Sequence, residues 1–278
     1  MAKGSKLLAR SVTGLVALAI FMTLIWTPGL RLLLTLFIGA LSAVGLFEYY
    51  AMVRARKISP ETIGGMLAGT CVAMSGHFGD AVTTNFALFG GCVLVSALHI
   101  VRGCHSVAGL SSSVFGVFYI GWFGAHVPMM QSLPGVGPGL VTTLFVAVIL
   151  TDTAAFFVGS SIGKHKMAPK VSPNKTWEGA FGGLFCAVAG TAALWYLRER
   201  AGMTALPDWS LWRYTHAGIL VSIVAQIGDL TESCIKRDAG VKDSGNFFPG
   251  HGGVLDRTDG FLFAAPVLYY LVTPFCAG

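Results

Sequence analysis

Nine runs of about 20 apolar residues succeed one another along this chain, and they restrict its fold more than any other feature. They cover roughly 11–27, 30–53, 62–79, 83–101, 107–130, 139–158, 178–197, 214–235 and 259–276. Runs of this length match a hydrocarbon core about 30 Å thick as helices, because in lipid each backbone N–H and C=O must be paired within its own segment. A membrane barrel would show alternating segments of about ten residues instead. Only 12% of residues are charged, against about 25% in soluble domains. The mean hydropathy of +0.69 leaves no room for a sizeable soluble domain. The expectation is an all-α polytopic membrane protein with about nine transmembrane helices.

The N-terminus, Lys3, Lys6 and Arg10 before an apolar run, imitates a signal peptide. It lacks a small-x-small cleavage site before Thr27-Pro28-Gly29, so it reads as a retained first helix. Six scattered cysteines (Cys71, Cys92, Cys104, Cys186, Cys234 and Cys276) form no CxxC pair and read as small core thiols.

Lysine and arginine orient the bundle. With the N-terminus inside, only Arg31, Arg198, Arg200 and Arg213 of the 19 basic residues fall on the outer side. That asymmetry predicts an N-in, C-out chain in a cell inner membrane. It also places the two polar loops, 159–177 and 236–258, in the cytoplasm. The chain divides into 1–135, carrying helices one to five, and 136–278, carrying helices six to nine with both loops. The basic residues form no single soluble patch, which argues against nucleic acid as a partner.

Ionisable groups at membrane depth are costly and face a cavity or a partner. Asp152 and Asp229 interrupt the sixth and eighth runs, and each reads as either a site carboxylate or half of an ion pair with a bundle lysine. Glu48, beside Tyr49 and Tyr50, fits an interfacial structural role at least as well as a functional one. Helical spacing puts Gln226, Asp229, Ser233 and Lys236 on one face, flanked by Glu232 and Arg237. After it comes a stretch with Lys242, Asp243, Pro249-Gly250, His251 and Gly252-Gly253, then Asp256, Arg257 and Asp259. The glycines let backbone N–H groups approach an anion. Asp256 and Asp259 share a face if a helix starts there, beside a positive N-terminus suited to phosphate oxygens. Carboxylates among lysines and arginines suit Mg²⁺ and a phosphorylated substrate, and paired ligands for structural zinc are missing.

The loop 159–177 tempts a phosphate-loop reading. It fails, because three residues instead of four separate Gly159 and Gly163, and His165 follows Lys164 where Ser or Thr is needed. It remains a basic loop suited to phosphate. Ser172 and Thr176 are candidate caps for a helix starting near Glu178, with Pro173 in its first turn. No nucleophile motif is present. Metal and cations suit direct phosphoryl or nucleotidyl transfer.

Ser233-x-x-Lys236-Arg237-x₄-Lys242-Asp243 followed by Pro249-Gly250-His251-Gly252-Gly253-x-x-Asp256-Arg257-x-Asp259 resembles the defining motif of phosphatidate cytidylyltransferases, also called CDP-diacylglycerol synthases. Upstream, Asp152-Thr153-Ala154-Ala155 and Ser172-Pro173-x-Lys175-Thr176-x-Glu178-Gly179 resemble the same family. Phe156, Ser160 and Asn174 depart from it, where a tyrosine, a basic residue and a lysine are common. The resemblance implies that CTP and phosphatidate give CDP-diacylglycerol and pyrophosphate, with Mg²⁺ at Asp229 and Asp256, K⁺ as a candidate second ion, and a nine-helix homodimer. On this reading Lys236, Arg237, Lys242 and Arg257 neutralise triphosphate charge, and Ser233 and Asp259 position ligands. Asp243 and His251 complete the catalytic motif. Asp152, Lys164, Ser172 and Lys175 line the mouth or the lipid phosphate site, and Glu178, Gly252 and Gly253 contact substrate. Rival readings are a CTP-dependent polyprenol or phytol kinase, which would release CDP, and a membrane transporter with Asp152 and Asp229 on its pathway.

Overall fold

The computed structural model describes residues 19–103, 106–247 and 252–273. Among them the apolar runs are helices: α1 (residues 19–26), α2 (Arg31–Ala55), α3 (Thr62–Ser75), α4 (Ala81–Val101), α5 (Val107–Gln131), α6 (Gly137–Ile162), α7 (Trp177–Ala201), α8 (Leu211–Asp238) and α9 (Leu255–Val272). Six of these, α2 and α4 to α8, are long and apolar enough to cross a membrane. The parts of the expected first and ninth runs before residue 19 and after residue 273 lie outside the described residues. Large side chains such as Phe86 and Phe185 are 74% and 75% exposed. Apolar surface of that kind suits lipid and not water, and the chain is a multi-pass membrane protein.

Capping follows the sequence. Asp80, Ser106, Thr176 and Ser210 accept from the backbone N–H groups of Thr83, Gly109, Gly179 and Arg213, opening α4, α5, α7 and α8. A π-helical segment, Val117–Trp122, lies inside α5.

The polar connections differ from expectation in two places. First, α6 runs on to Ile162, and the stretch after it is a small antiparallel hairpin of β1 (Lys166–Ala168) and β2 (Ser172–Thr176), with Lys166 opposite Thr176 and Ala168 opposite Ser172. Thr176 caps α7 as expected, but Ser172 and Pro173 belong to β2 and not to a helix start. Second, α8 extends to Asp238, so Lys236 and Arg237 sit in its last turn, and α9 begins at Leu255. The connection is therefore shorter than 236–258.

The carboxyl half packs as a sequential set, α6 on α7, α7 on α8 and α8 on α9. The α6–α7 pair approaches closely through small residues. A Cβ on Gly183 would lie 2.6 Å from the Thr151 carbonyl oxygen, and one on Gly179 would lie 2.7 Å from that of Ala155. This four-residue spacing of glycines is a common way for membrane helices to meet. The main apolar core joins α2, α5, α6, α8 and α9 through residues such as Ile38, Ala125, Leu144, Ala225 and Ala265.

Candidate active site

A polar cavity of about 650 Å³ lies between α6, the hairpin, the start of α7 and α8. Asp152 and Gly159 come from α6, Ser172 and Lys175 from β2, and Gln226 and Asp229 from α8. Gln226 and Asp229 are three apart, so one helical face carries both into the cavity. Lys175 forms an ion pair with Asp229, and the Ser233 hydroxyl stands 3.4 Å from Asp229 Oδ1. The hairpin that delivers Ser172 and Lys175 is tied at both ends. Glu178 Oε1 lies 2.6 Å from His165 Nδ1, and the Arg237 Nε donates to the Val171 carbonyl at 3.1 Å. Phe156, Ser160 and Asn174, where the chain departs from the motif it resembles, also line this cavity.

A second, buried cluster joins the ends of α8 and α9 to α2. Lys236 Nζ donates to Glu232 Oε2 at 2.5 Å and to Asp256 Oδ1 at 2.6 Å. Asp256 Oδ2 accepts from the N–H groups of Ser244 and Gly253 at 2.8 and 2.7 Å. Glu48 reaches this cluster from α2 and accepts from the N–H groups of Val254 and Leu255, each at 3.0 Å. The Ser244 hydroxyl lies 2.9 Å from both Glu48 Oε2 and Asp256 Oδ2 and can donate to either. Glu48 is 5% exposed, so these partners replace water for it entirely. The first-turn N–H groups of α9 thus hold the chain's own carboxylates. The phosphate site expected at that N-terminus is filled from within.

Asp259 lies within electrostatic reach of Asp152, Asp229 and Glu232, and Asp152 within reach of Asp229. With Asp256 and Glu48 they make six carboxylates, against the two lysines Lys175 and Lys236. Glu232 Oε1 is buried with no hydrogen-bond partner among the described residues. Among the described residues Asp256 Oδ1 accepts from Lys236 alone, which leaves it a lone pair toward them. Excess carboxylate charge in a low-dielectric bundle calls for a cation, so these residues fit a divalent metal. Among the described residues no group of three or more side chains forms a ready-made metal cage. Mg²⁺ rarely uses one, since it takes one or two carboxylates together with waters and substrate phosphates.

The structure thus brings Asp152, Ser172, Lys175 and Asp229 together, with Ser233 beside Asp229. It puts Lys236, Asp256 and Gly253 in the buried cluster, with Asp259 between the two groups. Gly252, at φ 83°, leads into that cluster. Arg237 and Glu178 hold the hairpin. Lys164, Lys242 and Asp243 are exposed and line neither group. Arg257 lines a separate apolar cavity instead of the polar one. His251 lies outside the described residues. Glu48 and Glu232 are the residues whose places in the buried cluster spacing arguments did not find. A carboxylate in an apolar run was the available signal for Glu48, but its partners are 196 to 207 positions away.

The family model described as the cytidylyltransferase family matches residues 8–275. The phosphatidate cytidylyltransferase of Brucella suis biovar 1 is 36% identical over 267 residues, covering 95% of this chain and 93% of the relative. That of Bacillus subtilis is 34% identical over 271 residues, covering 96% and 97%. That of Synechocystis is 35% identical over 258 residues, covering 82% and 84%. With a match that spans nearly the whole chain and takes in both polar groups, this protein belongs to the cytidylyltransferase family.

Proposed function

We propose that this chain is a phosphatidate cytidylyltransferase, converting CTP and phosphatidate to CDP-diacylglycerol and pyrophosphate for phospholipid biosynthesis. The observation that carries the reading is a carboxylate- and lysine-bearing cavity inside an apolar bundle, in a chain whose relatives over nearly its full length bear that name. An oxygen of the phosphatidate monoester attacks the α-phosphorus of CTP. The bond from that phosphorus to the bridging oxygen breaks, and pyrophosphate leaves with the electron pair. A phosphate monoester is largely ionised near neutral pH, its second pKa being about 6, so no strong base is needed. The chain's task is positioning and charge neutralisation.

Asp229 and Asp256 would hold Mg²⁺, which when bound neutralises phosphate oxygens. K⁺ is the candidate second ion. Lys175 and Ser172 bind phosphate oxygens at the cavity mouth, and Lys236 keeps Asp256 ionised and aimed. Arg237 and Glu178 fix the hairpin that carries Lys175. Asp152 and Asp259 orient ligands near Asp229, and Ser233 steadies Asp229 itself. Lys164 and Lys242 draw nucleotide towards the mouth from the surface, and Asp243 stands beside Lys242. In this reading the chain crosses a cell inner membrane nine times, N-in and C-out, with the site facing the cytoplasm. Segment 136–278 carries the chemistry, segment 1–135 supports it, and the protein acts as a homodimer.

Purified protein in detergent, given CTP, phosphatidate and Mg²⁺, should release pyrophosphate and stop when either Mg²⁺ or the lipid is withheld. Release of CDP would indicate a lipid kinase. Absence of any lipid-dependent CTP turnover would leave a transporter as the better reading.

A further inference from the structure

Tyr119 of α5 is fully buried, and its hydroxyl has no hydrogen-bond partner among the described residues. Tyr49 and Tyr50, in the same apolar core, differ from it. The Tyr49 hydroxyl donates to the Ser112 carbonyl at 3.1 Å, and that of Tyr50 to the Ser113 carbonyl at 2.8 Å. Burying a hydroxyl without a partner costs stability, and phenylalanine would fill the same space without that cost. A hydroxyl in such a place calls for a partner from outside the chain, a water or an ion.

The surroundings of Tyr119 say where that partner lies. Tyr119 belongs to the π-helical segment of α5, and π-helical turns occur frequently at functional sites. Its ring packs on Phe263 of α9, with centroids 5.6 Å apart. Asp259 stands one turn before Phe263, on the same helical face. At this point α9 meets α8. A Cβ on Gly228 would lie 2.6 Å from the Asp259 carbonyl oxygen and 3.1 Å from Phe263 Cβ. Asp229 follows Gly228 directly, and Glu232 is one turn further along α8. Tyr119 is accordingly within electrostatic reach of Asp259, Glu232 and Asp229. Glu232 Oε1 is buried and lacks a partner among the described residues, as the Tyr119 hydroxyl does. Asp259 accepts from the Gly260 N–H through Oδ1, which leaves Oδ2 for another donor. One donor without an acceptor thus lies near two acceptors without a donor.

We propose that Tyr119 is a positioning residue for cytidylyl transfer, its hydroxyl acting on Glu232 and Asp259 through one shared water. Tyr119 donates to the water oxygen, and the two water hydrogens go to Glu232 Oε1 and Asp259 Oδ2. A buried water needs two to four polar partners, and these three side chains supply them. The arrangement fixes both carboxylates beside Asp229, as groups behind metal ligands commonly do. The role rests on the cytidylyl-transfer reading. It brings into the site a residue of segment 1–135, far from the motifs at 152–179 and 233–259.

Tyr119→Phe removes the hydroxyl alone. Binding of Mn²⁺, standing in for Mg²⁺, can be read by electron paramagnetic resonance on purified protein in detergent without nucleotide or lipid. The variant should bind Mn²⁺ about tenfold more weakly than unaltered protein, the loss expected when a group behind a metal ligand is removed. Pyrophosphate release at limiting Mn²⁺ should fall correspondingly. Placing 4-aminophenylalanine at position 119 restores a donor and should recover most of the affinity. Tyr50→Phe, which loses the bond to the Ser113 carbonyl, should lower the thermal midpoint and leave Mn²⁺ affinity within about twofold. Mn²⁺ affinity within about twofold of unaltered protein in Tyr119→Phe overturns the inference, as do equal losses in Tyr119→Phe and Tyr50→Phe. Failure of Tyr119→Phe to fold would make the hydroxyl structural and overturn it too. If unaltered protein releases no pyrophosphate, the cytidylyl-transfer reading fails instead, and the Mn²⁺ affinities still decide whether Tyr119 aims the carboxylates.

Discussion

Asp229 is the side chain on which the two polar groups turn. It is paired with Lys175 and close to Ser233, Asp152 and Asp259. Asp229→Asn keeps its shape and removes its charge, so CTP-dependent product in detergent should fall by roughly a hundredfold or more, as when a charge-stabilising group is removed from an active site. The variant should elute as unaltered protein does on size exclusion, and full activity would exclude Asp229 from metal binding. Glu48 gives a different signature. Glu48→Ala would strand the N–H groups of Val254 and Leu255 and the Ser244 hydroxyl, each stranded buried group costing about 1–3 kcal/mol. Glu48→Gln keeps an acceptor for the backbone. Thermal unfolding in detergent should therefore place Glu48→Gln well above Glu48→Ala, and equal midpoints would contradict the role assigned to Glu48. Asp152 and Asp229 were legible in the sequence because a charge in an apolar run is costly without a purpose. A structural role for Glu48 was legible too, but its partners were not, because spacing rules see three to seven residues along a helix and those partners lie some two hundred away. From the sequence Arg257 read as a cation for phosphate. Its face of α9, turned from Asp256, only the fold could reveal.

Among the elements, α6 and α7 set the width of the polar cavity. Their close approach depends on Gly179 and Gly183 lying against the Ala155 and Thr151 carbonyls. Gly183→Val should push the helices apart, lower stability by about 1–3 kcal/mol as overpacked sites do, and reduce turnover several-fold by displacing Asp152. A thermal midpoint and turnover unchanged from unaltered protein would mean that the pair does not govern the cavity. Among the described residues the helices could be read from the apolar runs, and the start of α7 from Thr176 at its cap. The hairpin could not. Its strands hold three and five residues, and four lysines with two prolines hide any alternation. For the same reason Ser172 and Pro173 read as helix-start residues, although pairing with β1 draws them into a strand. The phosphate site expected at the start of α9 was reasonable from helix polarity. It is filled because a glutamate from another helix supplies the anion.

For the whole molecule, the distribution of charge predicts how the bundle sits. In the N-in, C-out topology, Ser160 at the end of α6 faces the cytoplasm and Asp208, in the connection between α7 and α8, faces the opposite side. With the native cysteines replaced, a membrane-impermeant thiol reagent should label Ser160→Cys only in inside-out vesicles and Asp208→Cys only in right-side-out ones. The reverse pattern would invert the topology and move the polar cavity away from cytoplasmic CTP. The reaction itself is tested most directly by following which phosphorus of CTP enters the lipid. Purified protein, Mg²⁺ and phosphatidate should transfer label from α-³²P-CTP into a chloroform-extractable product, and label from γ-³²P-CTP into pyrophosphate. Label from the γ position in the lipid, with none from the α position, would contradict cytidylyl transfer.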